Sequence, residues 1–134
     1  MNRTTTLIVT SVLSVILFAL HWVDEISRGM EQAKVANLPG VAILVVWLSG
    51  PLVFGPRRTG YIIMLIGGIL GLGVLVLHMT GGGLVGGRIA NTDGIYFWVL
   101  TALALGVTST ISGILAGLGL WQSKGSNRRP AGSV

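Results

Sequence analysis

Charged residues interrupt this chain at only a few places, and between them lie four nearly uncharged runs, at residues 4–23, 35–56, 59–87 and 94–123. Each holds the roughly 20 residues that a helix needs to cross a hydrocarbon core of about 30 Å. Alternation of apolar and polar residues over about 10 positions, the mark of a membrane barrel strand, is absent. Helices then remain as the form that pairs every backbone group inside lipid. The pattern predicts an all-α, polytopic membrane protein. Its domain, residues 1–122, is a four-transmembrane-helix bundle with spans near 5–23, 38–55, 60–79 and 95–121, and a basic, disordered cytoplasmic tail follows at 123–134.

Within the runs, small and polar residues fall on particular faces. Ala102, Gly106, Ser109, Gly113 and Gly117 recur at helical steps along the fourth span, and Gly67 and Gly71 repeat the spacing on the third. Lipid gives apolar side chains no hydrophobic gain on association, so these faces read as surfaces of close backbone packing. Thr6, Thr10, Ser14, His21 and Glu25 form a stripe along the first span, expected to face the bundle interior. Thr108, Ser109, Thr110 and Ser112 place hydroxyls midway along the fourth, where each can bond a carbonyl one turn back. Pro51, preceded by Ser49 and Gly50, predicts a kink late in the second span. Trp47 lies about 15 Å from Arg57 along that helix, too deep for an interfacial belt, and reads as packed or lipid-facing.

Composition agrees with that picture, since 51% of the chain is apolar and 10% charged. The net charge of +5 would suggest a nucleic-acid partner until the charges are placed. Arg3, Arg57, Arg58, Lys124, Arg128 and Arg129 fall on one side of the predicted bundle with no acidic residue among them. Asp24, Glu25, Arg28, Glu31, Lys34, Arg88 and Asp93 fall on the other. Retention of Lys and Arg in the cytoplasm then predicts cytoplasmic termini in a bacterial-type inner membrane, with the lipid bilayer and not nucleic acid as partner. Trp22, Tyr61, Tyr96, Phe97, Trp98 and Trp121 sit at span ends, as interfacial aromatics do. Leu17, Phe18 and Ala19 make a poor cleavage site, so the first run is expected to be retained as a span. With no cysteine, thiolate chemistry and cysteine-ligated metals are excluded.

The segment His78 to Gly94 carries Gly81, Gly83 and Gly86 at the G-x-G-x-x-G spacing of dinucleotide-binding loops. That fingerprint works between a strand and a helix N-terminus. Here a predicted membrane helix precedes it and the orientation puts it outside the cytoplasm, so no nucleotide binding is expected. The glycines read as a connection ending in Thr92 or Asp93 as the cap of the fourth span.

Candidate chemistry gathers at the outer ends of the first and third spans. His21 lies 18 residues beyond Arg3 and His78 lies 20 beyond Arg58, which puts both roughly 27 to 30 Å from the inner boundary. Glu25 shares a helical face with His21, Asp24 and Arg28 are an i,i+4 pair, and Arg88 and Asp93 can fold over the same end. Two imidazoles at one depth can ligate a haem iron, or join Glu25 around a divalent metal. No Asp, Glu, Lys or Arg lies well inside a span, which argues against a proton-coupled exporter. The leading expectation is a non-enzymatic accessory or interaction subunit without a cofactor, packed through its glycine faces as a homo-oligomer or within a larger membrane complex. The alternatives are an electron-transfer or metal-binding protein using His21 and His78, and a small channel or carrier for a neutral or weakly charged solute.

Overall fold

A computed structural model of the chain describes residues 2–29, 34–35, 38–80 and 94–126. Among them the architecture is all-helical: α1 (Arg3–Ser27), α2 (Leu38–Ser49) running into a π-helical turn (Gly50–Phe54), α3 (Arg58–Thr80) and α4 (Ile95–Ser126). α1, α3 and α4 are long and apolar enough to cross a membrane, and Leu38–Phe54 is a shorter apolar helix. Four helices match the four uncharged runs. α4 continues through Ser126, so residues 123–126 are helical where the charge pattern suggested tail. Residues 127–134 and the glycine-rich segment with Gly81, Gly83 and Gly86 lie outside the described residues.

Local chemistry sets the helix ends. Asn2 is extended and its side chain accepts from Thr5 N at 2.8 Å, which caps α1. Gly29, at φ +70°, closes the same helix in the left-handed conformation that a C-terminal glycine supplies. The expected kink on the second helix takes a specific form. Pro51 has no amide proton to continue the α ladder, and the chain widens there into the π turn, closed by Gly55 N donating to Gly50 O at 2.9 Å.

α4 is the central helix: the inter-helix contact is mostly α3 with α4 and α1 with α4, while α1 meets α3 only slightly. Small residues permit that approach. A Cβ on Gly68 would come within 2.8 Å of both Gly113 Cα and the Ser109 carbonyl, so the two backbones touch there. A Cβ on Gly71 would collide with the Ser109 hydroxyl, on Gly106 with Leu75, and on Gly67 with the indole of Trp47. Gly67, Gly71 and Gly106 thus stand at crowded points, and Gly113 stands opposite Gly68. Gly117 differs, because a Cβ there meets only Leu65, at 4.0 Å. The steps of four have rotated it off the α3 face, which continues instead through the buried Ala116 against Met64 and through Gly119, where a Cβ would collide with the Tyr61 ring.

Two apolar clusters fill the interior, Leu7 with Met64 and Ala116, and Val15 with Trp47 and Leu105. Trp47 is 3% exposed and lies on the glycine face of α3, which resolves its unusual depth in favour of packing. The hydroxyls face inward, but of the four on α4 expected to bond a carbonyl one turn back Thr108 and Thr110 do so, while Ser109 and Ser112 are buried with no hydrogen-bond partner. Ser14 Oγ meets Thr108 Oγ1 at 2.9 Å across α1 and α4, and Thr10, Thr108 and Thr110 donate to carbonyls one turn back.

Gly68→Ala should therefore destabilise the bundle by about 1–3 kcal/mol, the usual cost of overpacking, because backbone atoms oppose the new methyl. Gly117→Ala should be close to neutral. Reversible unfolding of the detergent-solubilised protein would read both, and equal stability of the Gly68 variant would mean that α3 and α4 are not in contact there.

Candidate metal centre

Three helices converge at the end of the bundle where α1 and α3 finish and α4 begins. His21 and Glu25 stand one turn apart near the end of α1, and His78 lies in the last turn of α3. The shared depth expected from residue counting becomes direct contact, with the two Nε2 atoms 3.2 Å apart. Glu25 Oε1 lies 3.3 Å from His78 Nε2 and 3.6 Å from His21 Nε2. These three donor atoms form the one group of potential metal ligands found among the described residues.

α4 supplies the wall. Trp98 is fully buried and packs against both imidazoles, with ring centroids 5.0 Å from His21 and 4.7 Å from His78. Its position at the start of a span suggested an interfacial aromatic, but the ring turns inward and closes the cluster from below. Tyr96 and Trp121 keep the outward exposure expected of belt residues, at 86% and 74%. Thr101, one turn further along α4, sits with its Oγ1 3.1 Å from His21 Nδ1 and 3.0 Å from the Trp98 carbonyl.

The outer polar cluster is assembled in part. Arg28 Nε donates to Asp24 Oδ2 at 2.7 Å, so the predicted i,i+4 pair forms, and this bond raises the guanidinium above its ordinary range. Arg28 also reaches across to α4, where Nη2 donates to the Gly94 carbonyl at 2.8 Å. Gly94 has φ +81°, the left-handed conformation that favours glycine, and a Cβ there would push against the movable end of the Arg28 side chain. Arg88 and Asp93 lie outside the described residues. Thr101 and Trp98 were missed as site residues by sequence reasoning. The available signal was that Thr101 precedes Thr108 by seven positions, on the same helical face as the hydroxyls.

The donor set suits a divalent ion better than haem. Axial imidazoles on opposite faces of a haem hold their nitrogens roughly 4 Å apart with the macrocycle between them. Here the nitrogens approach to 3.2 Å and Trp98 fills the space beside both rings. Two imidazoles and a carboxylate are ligands that zinc, cobalt, nickel and copper all accept. Comparison of the chain with family models, with curated proteins and with solved structures finds no match.

Removing the wall tests the construction without any ion. Trp98→Ala should cost about 3–5 kcal/mol, as large buried aromatics do. It should also abolish the contact shift that the indole ring imposes on the imidazole protons. Proton spectra of the histidine rings unchanged by the substitution would show that Trp98 does not pack on them.

Proposed function

We propose that this chain is a four-helix integral membrane protein, with both termini cytoplasmic, that holds one divalent transition-metal ion at its outer end through His21, Glu25 and His78. The observation that carries the reading is the mutual approach of three donor atoms from two helices to within 3.6 Å. Three atoms bearing lone pairs repel at that separation unless protons or a cation lie between them. A proton on His78 Nε2 relieves the two contacts that this atom makes, with His21 Nε2 and with Glu25 Oε1. An ion relieves all three, using neutral imidazoles and an ionised carboxylate as its ligands.

Membrane insertion is supported by three helices long and apolar enough to cross, and the orientation by the segregation of basic residues toward the termini and the connection before α3. The role is one of binding. An accessory subunit fits it well, since an ion at this end would tie α1 to α3 and present a stabilised outer surface to a larger complex. The solute-pathway alternative gains less support. Thr10, Thr108 and Thr110 are used in helix back-bonds and Ser14 in the contact with Thr108, the hydroxyls of Ser11, Ser109 and Ser112 are buried without a partner, and the apolar cluster of Val15, Trp47 and Leu105 lies between that layer and His21.

Titration of the purified protein with zinc should give one ion per chain. His21→Ala and His78→Ala should each abolish binding, and Glu25→Gln, which replaces the anionic ligand with a neutral amide, should weaken it by at least about 10-fold. Imidazoles must be neutral to ligate, so affinity should fall once the pH is low enough to protonate the histidines, with protons released on binding there. Wild-type protein that takes up no ion in calorimetry and elemental analysis would refute the metal reading. The orientation is checked separately: a reporter active only outside the cytoplasm should stay silent when fused to the C-terminus, and activity there would invert the topology.

A further inference from the structure

The hydrogen bonds around His21 fix more than its position. Thr101 has one hydroxyl proton, and the threonine sits inside a helix where the Trp98 carbonyl three residues back accepts it at 3.0 Å. With that proton committed, Thr101 Oγ1 faces His21 Nδ1 at 3.1 Å as an acceptor. Nδ1 then carries the imidazole proton, and the neutral ring presents a bare Nε2 to His78 and Glu25. Metal-ligating histidines are commonly held this way, with the second nitrogen donating to a fixed acceptor that sets tautomer and ring orientation.

The separations among the donors carry a second message. A tetrahedral ion with bonds of about 2.0–2.1 Å keeps its ligand atoms about 3.3–3.4 Å apart. An octahedral face at about 2.1 Å brings them to about 3.0 Å. A square-planar ion has neighbours at about 2.8 Å and opposites near 4.0 Å. The observed 3.2, 3.3 and 3.6 Å bracket the tetrahedral value, and none is as short as an octahedral face or a square-planar edge. No thiolate or thioether is among the three donors, which removes the preference for cuprous copper.

We infer that the site is set for a tetrahedral ion of the zinc class, and that Thr101 is its positioning residue, holding His21 as the Nδ1–H tautomer with Nε2 turned to His78 and Glu25. The inference rests on the metal-binding reading. It adds which ion geometry the helices have prepared and which residue outside the ligand set prepares it.

The test uses the full-length protein in detergent micelles. Cobalt(II) replaces zinc as a spectroscopic probe and should give the intense visible bands of four-coordinate cobalt. Thr101→Val keeps the shape but removes the acceptor, and should lower zinc affinity by about 10- to 100-fold, with Thr101→Ser restoring it. In metal-free protein, nitrogen-15 spectra of the histidine rings should show His21 as Nδ1–H in the wild type and in the Ser variant, and mixed tautomers in the Val variant. Weak six-coordinate cobalt bands, zinc affinity unchanged in the Val variant, or Nε2–H at His21 in the wild type would each overturn this inference while leaving metal binding in place. Failure of the wild type to bind cobalt or zinc at all would bring down both readings. The nitrogen-15 assignment on wild-type protein needs no variant to fold.

Discussion

The contact of backbone with backbone at Gly68 and Gly113 is the constraint on which the outer site depends. For a chain read as membrane-spanning, helices gain nothing hydrophobic by leaving lipid for one another, so association must come from dispersion at close range and from polar pairs. At Gly68, facing Gly113 and the Ser109 carbonyl, α3 and α4 come so close that no room is left for a Cβ. Gly71 against Ser109 and Gly106 against Leu75 continue that contact toward the outer end. The consequence for the site is direct, because His78 is carried along α3 until it meets Trp98 on α4.

α1 reaches the same helix by different means. Ser14 pairs with Thr108 and His21 pairs with Thr101, so a step of seven along α1 matches a step of seven backward along α4. Seven residues are two turns, and the antiparallel register is held at both ends of that interval by polar contacts with the apolar pair Val15 and Leu105 between them. A polar pair in an apolar interior fixes register more sharply than packing alone, because a slip of one residue would bury unpaired hydroxyls. The inner pair thereby delivers the outer one. α1 and α3, each fitted to α4, bring His21 and His78 together although the two helices share little contact of their own.

How much of this was legible follows from what each pattern encodes. Helix number and the common depth of the histidines come from one-dimensional quantities, the spacing of charges and a rise of about 1.5 Å per residue, and both were read. The pairing of His21 with Glu25 and of Asp24 with Arg28 is intrahelical and follows from the helical repeat. What one sequence does not encode in a readable way is which helix stands next to which. Nothing in the spans announces that α4 is central, so Trp98 was read from its position at a span end and not from its inward face, and Thr101 was passed over for the denser hydroxyl group at 108–112. Gly117 shows the limit of periodicity: it continues the small-residue face in sequence, but repeated steps of four drift around the helix and the contact with α3 passes to Ala116 and Gly119.

The slight contact between α1 and α3 gives the cluster its physical meaning. His78 links α3 to α1 through its polar contacts with His21 Nε2 and with Glu25. Elsewhere each helix is secured by α4, and at this end Arg28 adds a further tie from α1 to Gly94 at the start of α4. An ion held by the three donors would close the remaining side of the triangle, joining α1 to α3 without α4 as intermediary. Its binding energy would act at one end of the bundle, where the glycine packing and hydroxyl register below position the helices that carry the three donors. Preorganisation of that kind favours a ligand because the helices need not move to meet it.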